Sequence, residues 1–404
     1  MHNTKSSSQV MFHLLLIAVG SILLGVIFQL VLPIGKFWLG FLGATLLLLV
    51  SGVLLYAAWR GLNGDKAVAW MMLVAFLLRI ALALFLTWGL PRFGYAEPSQ
   101  QAGFVFLDAF RREQSAWDLA VSEQPLSAAF SDAYGTDQYG GLLALSAMVY
   151  RFISPDAFRP ALVAILAAFV STLSIPFLVS AVKVRFGNEL ALWSGWILAV
   201  YPEGVLLGAA QMREPFLILF FTMLFWAGVR WLEREKPWRT GAFALIGMTG
   251  LVLISYRVAL PVLGAILLWL WVAESGKIAR LLIKVLGWGL IAAAAIASIL
   301  LLTGWLGEAS RWDALLTVRG SGMVQYQLER LPEWLHFPFI IGYGLFQPVL
   351  PAAIADPAPW IWRSLAVFRA LGWYLILPLL VYALIAVWRL KPQMKKRWLA
   401  VIIL

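Results

Sequence analysis

Long apolar runs separated by short polar segments make up most of the chain. Runs near 10–32, 38–58, 67–90, 160–182, 190–210, 215–232, 240–256, 258–273, 285–307 and 370–388 predict helices that cross a membrane, since about 20 apolar residues reach across hydrocarbon. An eleventh run starts at Trp398 and stops after seven residues, so the chain is expected to continue beyond Leu404. The first run is 23 residues long and lacks a small-residue cleavage pattern, which predicts a retained helix rather than a signal peptide. Segments 142–153 and 337–354 are apolar but short and broken by Gly or Pro, as in interfacial or re-entrant helices. Residues 240–273 as one helix of 34 residues would be about 51 Å long, so a hairpin with Arg257 at its tip is expected there.

Composition agrees with that pattern. Hydrophobic residues are 62% of the chain and charged residues 13%, with a mean hydropathy of +0.86, which predicts an all-α polytopic membrane protein with about 11 transmembrane helices. There is no cysteine, and His2, His13 and His336 are too scattered for a zinc site, so neither disulfide nor zinc chemistry is indicated. With the N-terminus on the cytoplasmic side, the inner segments 1–9, 59–66, 183–189, 230–239, 274–284 and 389–397 hold 17 of the 31 basic residues and 5 of the 20 acids. The net charge of +11 is therefore mainly a topology signal. Membrane lipids with anionic headgroups are the expected neighbour, and nucleic acid is not.

Two long loops fall on the other, extracytoplasmic face, residues 91–159 and 308–369, and loops held by rigid helices commonly carry function. Between Pro91 and Tyr139 seven acids face three arginines. The stretch "GFVFLDAFRREQSAWDLA", residues 103–120, puts Phe106, Phe110 and Trp117 on one helical face and Asp108, Arg111, Arg112, Ser115 and Asp118 on the other. That is the pattern of a helix lying along a membrane surface. The plain reading of Asp108 and Arg112 is a surface i,i+4 ion pair.

The Asp-Ala pair opening this amphipathic helix after an early span resembles the first outer loop of the C-type (GT-C) membrane glycosyltransferases, the group that includes protein mannosyltransferases and aminoarabinose transferases. The segment from "TDQYGGLLALSAMVYRF" through "AVYPEGVLLGAAQMREPFLILFF" is similar to that superfamily's loop helix, paired spans and outer turn, and the likeness covers roughly residues 67–260. It departs from the pattern where Arg111 and Arg112 replace an aromatic residue after the loop Asp. Residues 1–66 are then two additional N-terminal helices, and 67–404 a GT-C-like catalytic module.

The resemblance implies inverting transfer of a sugar from a polyprenyl-phosphate donor to a glycan, lipid or protein acceptor on the extracytoplasmic face. Asp108 is then the candidate general base, because an acceptor hydroxyl is a weak nucleophile until a nearby carboxylate takes its proton. Asp137 competes for that role, as does Asp132 in "SDAYGTDQYGG". The donor's phosphate gains negative charge as it leaves, and arginine forks suit it. Candidates for substrate binding are Arg111, Arg112 and Asp118 on the loop helix, Gln138 and Tyr139 beside Asp137, Arg213 and Glu214 in "QMREP", Tyr256 and Arg257 in "SYRVALP", and Arg319 in the second loop. Arg213 precedes Pro215 at a helix start, where main-chain amides also favour an anion; headgroup contact and pairing with Glu214 are the plainer accounts. Arg311, Asp313, Tyr326 and Glu329, with Gly320 and Gly322 around Ser321, read either as a segment closing over substrate or as a solvated loop.

No cofactor is required by this reading. Asp132 and Asp137, with Asp108, suit a divalent cation such as Mg or Mn, while turn chemistry accounts for the same residues without a metal. Arg79 falls in mid-span, where a charge is costly and takes a partner or a wet cavity. The rival readings are a transporter or flippase of lipid-linked saccharides, whose mark is broken helices meeting at buried charges, and a non-catalytic envelope-assembly protein.

Overall fold

The computed structural model describes residues 2–134, 140–234, 237–275, 330–332, 334–336, 338–339, 350–355 and 357–389. Among the described residues there are helices and no strands: α1 (His2–Val31), α2 (Phe37–Gly61), α3 (Lys66–Phe93), α4 (Pro98–Gln101), α5 (Leu107–Val121), α6 (Gly141–Ile153), α7 (Pro160–Phe186), α8 (Asn188–Val200), α9 (Pro202–Ala209), α10 (Glu214–Leu232), α11 (Pro237–Ser275), α12 (Leu350–Ala355) and α13 (Trp360–Arg389). Two 3₁₀ turns, Leu126–Phe130 and Asp132–Tyr134, lie between α5 and α6. Among the described residues seven helices are long and apolar enough to cross a membrane, or eight if α8 and α9 together make one span. The chain is thus a multi-pass membrane protein, helical throughout its described elements.

Local chemistry sets the helix ends. The Asp65 carboxylate accepts from the Val68 amide at 3.0 Å and caps α3. Pro160, Pro202 and Pro215 sit in the first turns of α7, α9 and α10, where a missing N–H costs nothing. Lys183 and Arg185 occupy the last turn of α7 and Arg230 that of α10, opposite the negative helix ends.

The chain divides into two compact units. The first holds residues 1–263 and 358–365. Its central helix is α7, whose small residues Ala161, Ala164, Ala167, Ala168, Ser171 and Ser174 are buried. Small side chains let neighbouring backbones come close, which is how helices associate in lipid. Gly25 and Gly52 do the same for α1 and α2, for a Cβ on either would press into Thr45 or Ile17. The start of α13 belongs to this unit. Ile361 and Leu365 pack with Ala83, Leu86 and Leu90, and the Trp362 indole donates to Gln100 at 2.8 Å. In the second unit, residues 264–357 and 366–404, the end of α11 buries Ile266 and Trp269, and the rest of α13 exposes Leu375 and Tyr382.

Several sequence expectations change. The expected span 190–210 is a helix pair bent by 50° at Tyr201. Runs 240–256 and 258–273 fall in one element, α11, interrupted at Ser255 (φ −165°, ψ 96°) rather than at Arg257. The span expected at 370–388 begins ten residues earlier, at Trp360. Segment 142–153 does not change: it is α6, 13 residues and too short to cross, as the sequence led one to expect. The expected span 285–307 and the run from Trp398 lie outside the described residues.

Candidate functional site

Helix α5 is amphipathic, but its buried face is not the one the aromatic residues predict. Ala109, Arg112, Glu113, Ala116, Leu119 and Ala120 are buried, whereas Leu107, Asp108, Arg111, Gln114, Asp118 and Val121 are exposed. Phe106, Phe110 and Trp117 are half-buried at the border. Arg112 therefore leaves the polar face assigned to it from the sequence. Instead of a surface pair with Asp108, it forms a buried pair with Glu113 at 3.4 Å.

Glu113 is the centre of this arrangement, with 0% of its surface exposed. Tyr150 Oη donates to its carboxylate at 2.6 Å and Ser146 Oγ at 2.9 Å, both from α6. Burial pushes the Glu113 carboxyl above its ordinary range, opposed by the Arg112 charge and by the hydrogen bonds from Tyr150, Ser146 and Arg112. Burial likewise holds the Tyr150 phenol well above its usual value, reinforced by the carboxylate beside it. A buried charge left unpaired would be far costlier than this satisfied cluster.

The same cluster reaches a distant segment. Arg112 Nη2 donates to the Gln211 carbonyl, in the link between α9 and α10, and Gln211 Nε2 donates to the Pro160 carbonyl at 3.0 Å. Arg151 of α6 closes the other end of α5, donating to the carbonyls of Leu119, Ala120, Ser122 and Gln124 at 2.5–3.1 Å. A cation on the final carbonyls of a helix satisfies acceptors that have no partner within the helix. Trp117, Tyr150 and Phe158 pack ring to ring beneath, with centroids 5.3–6.0 Å apart. Asp156 and Arg159 tie the α6–α7 link to the α1–α2 link through the Lys36 amide and the Ile34 and Lys36 carbonyls. The Arg159 guanidinium holds the Asp156 carboxyl well below the usual carboxylate range.

Asp108 stands in the first turn of α5, exposed, and among the described residues its side chain has no hydrogen bond or ion pair. Arg111 and Asp118 share its exposed stripe. Arg213 occupies the N-cap position of α10, with its Nε 3.9 Å from Glu214. It lies two residues beyond the carbonyl that Arg112 grips, so the loop helix and "QMREP" are neighbours. Tyr256 and Arg257 are exposed just after the Ser255 break. Asp137, Gln138, Tyr139 and Arg319 lie outside the described residues, as do Arg311, Asp313, Tyr326 and Glu329. Asp132 opens a 3₁₀ turn. Among the described residues no group of three His, Cys, Asp or Glu side chains is placed to hold a metal.

Arg79 is fully buried within α3. Its guanidinium donates to Ser171 Oγ at 2.8 Å and to the carbonyls of Ala75, Leu198 and Ala199 at 2.8–3.1 Å. The α8–α9 break explains the last two. Pro202 has no N–H to offer the Leu198 carbonyl four residues back, and the bend frees the final acceptors of α8. Four of the five N–H groups of the side chain are thus committed to protein acceptors. Arg79 is a structural cap for a broken helix.

Sequence reasoning passed over Glu113, Ser146, Tyr150 and Arg151. One signal was present: Glu113 falls among Ala109, Ala116 and Ala120, an acid in a small-residue stripe at helical spacing. Compared with known proteins, the chain matches no protein-family model, no curated protein and no solved structure.

Proposed function

We propose that the chain is an integral-membrane, GT-C-like inverting glycosyltransferase that uses a polyprenyl-phosphate sugar and acts at the extracytoplasmic face. In this reading the Asp108 carboxylate takes the acceptor hydroxyl proton. The oxygen bonds to the anomeric carbon as the bond to the lipid phosphate breaks, and the phosphate departs with the electron pair. Arg111 and Arg213 are the candidates to meet its charge, with Arg257 a third. One observation carries the reading: the exposed stripe Asp108–Arg111–Asp118 rides on a helix whose other face is locked by Glu113, Tyr150, Ser146 and Arg151, and whose Arg112 grips the link leading to Arg213. Reacting groups need such rigid support to hold a productive geometry.

The test uses the purified chain in lipid nanodiscs with radiolabelled polyprenyl-phosphate hexoses and pentoses, and membrane extract as acceptor. Asp108→Asn is expected to lower label transfer by about 10²–10⁴-fold, the usual share of general-base catalysis. Unchanged transfer would remove Asp108 as base.

The α8–α9 break favours a second reading, a flippase of lipid-linked saccharides, because broken helices with a buried charge mark transport sites. Against it, the Arg79 donors are taken up by protein acceptors. Movement of labelled lipid across a proteoliposome bilayer without sugar transfer would select that reading.

A further inference from the structure

The end of α3 remote from α5 carries two adjoining hollows. One, of about 150 Å³, is bordered by Asn63, Trp226, Arg230, Arg239 and Thr240. The other, of about 200 Å³, is bordered by Asn63, Asp65, Ser180, Lys183 and Arg230. Each is many times the roughly 10–15 Å³ that admits one water. Asn63 and Arg230 line both, so the hollows share a wall. The α2–α3 turn forms that wall because Asn63 takes a left-handed conformation (φ 54°), which Asn tolerates better than most residues.

The cations here are positioned. Arg230 Nη2 donates to Ser180 Oγ at 2.9 Å, and the Trp226 indole donates to the same oxygen at 3.1 Å. The guanidinium also lies 5.6 Å from the Trp226 ring centroid, a cation–π contact. Arg239 Nη2 donates to the Gly61 carbonyl at 2.9 Å. The acid of the group, Asp65, spends one oxygen on the Val68 amide, and its other stands 3.5 Å from Lys183 Nζ. Arg230, Arg239 and Lys183 against Asp65 leave the walls with a net charge of +2. Helix-dipole compensation asks for a cation near a helix C-terminus, as at Lys183 and Arg230, and not in a first turn, where Arg239 stands. It does not ask for three around a shared polar hollow.

We propose that these hollows form one binding site for a phosphate group, with Arg230 at its centre and Arg239 and Lys183 on its flanks. The phosphate is that of an acidic phospholipid headgroup or of a soluble phosphate; basic hollows between membrane helices suit either. Guanidinium forks match phosphate oxygens two at a time.

The test is lipid binding by the full chain in neutral detergent, read by native mass spectrometry and by thermal melting. The probes are phosphatidylglycerol, phosphatidylcholine and inorganic phosphate. Phosphatidylglycerol is expected to bind at least about tenfold tighter than phosphatidylcholine, and Arg230→Gln or Arg239→Gln to weaken it about fivefold each. Arg239 is half-buried and holds a carbonyl at the rim, so its variant reports on the site even if Arg230→Gln melts early. Displacement of phosphatidylglycerol by millimolar phosphate, lost in both variants, assigns the site to a soluble phosphate; lipid binding indifferent to phosphate assigns it to the headgroup. Equal binding of both lipids with no effect of phosphate overturns the proposal. So does an unchanged preference in Arg230→Gln, Arg239→Gln and Lys183→Gln alike. None of these readouts depends on sugar transfer.

Discussion

Arg79 and Glu113 are both fully buried charges in the first unit, yet they are satisfied by different kinds of partner. Arg79 spends two donors on the Leu198 and Ala199 carbonyls that a broken helix has released, and two more on the Ala75 carbonyl one turn back in α3 and the Ser171 hydroxyl. Glu113 is answered by side chains: an adjacent arginine, a phenol and a hydroxyl. A side-chain pair can be exchanged as a unit for apolar residues, since both charges leave together. Carbonyls cannot be exchanged, so Arg79 and the α8–α9 bend depend on each other. The first arrangement supports a backbone shape in an apolar span; the second fixes one short helix, α5, on another, α6.

The largest expected effect breaks the Glu113 side of this comparison. Glu113→Leu alone strands the Arg112 guanidinium and should cost about 3–5 kcal/mol, while adding Arg112→Met should recover part of it, the Gln211 carbonyl and the Tyr150 and Ser146 hydroxyls still lacking their partners. Denaturant melts of the two variants in detergent, monitored by circular dichroism, check this; a single variant as stable as the double would mean the pair does not hold α5. Arg79→Met should cost about 2–4 kcal/mol, because each buried acceptor left open costs about 1–3. The Leu198 and Ala199 carbonyls have no side chain to substitute, so no second-site change at Ser171 should restore it.

A smaller effect sharpens the Arg79 side. A Cβ on Gly208 would stand 2.6 Å from Arg79 Nε and 3.0 Å from Ser171 Oγ. Gly208→Ala should therefore cost about 1–3 kcal/mol as an overpacked site. Gly204→Ala, whose nearest neighbour would be 3.7 Å away, should be neutral or slightly stabilising in the same melts.

The smallest effect is a pH dependence. The folded-state pKa of Glu113 is raised, so between its ordinary value of 4.5 and that raised value the folded chain binds the extra proton. Stability should rise as pH falls through this window, and Glu113→Gln should flatten the rise. Asp156 works the other way: its lowered pKa contributes stability that is present above its ordinary value of 3.8 and lost as pH falls through the folded value. Melting temperature against pH for wild type, Glu113→Gln and Asp156→Asn separates the two.

Hydropathy made the spans α1, α2, α3, α7 and α10 legible, because a membrane core demands long apolar helices whatever they pack against. It could not see that 190–210 bends, since the bend depends on Pro202 together with a donor arriving from α3. Nor could it orient α5. Aromatic residues suggested the apolar face, but Phe106, Phe110 and Trp117 ended at the border because Ala109, Ala116 and Ala120 let α6 approach more closely. Asp108, Arg111 and Asp118 stayed on the exposed stripe that the sequence assigned to them, while Arg112 did not.

Composition and periodicity alone determined that this chain is helical, multi-pass and provided with a short amphipathic helix after its third span, because those properties follow from what lipid and water each exclude. Which charges are buried, which carbonyls they answer, and that Arg230, Arg239 and Lys183 gather at one end of α3 were decided by packing. Each depends on residues far apart in the chain meeting at hydrogen-bond distance, and no local pattern records such a meeting.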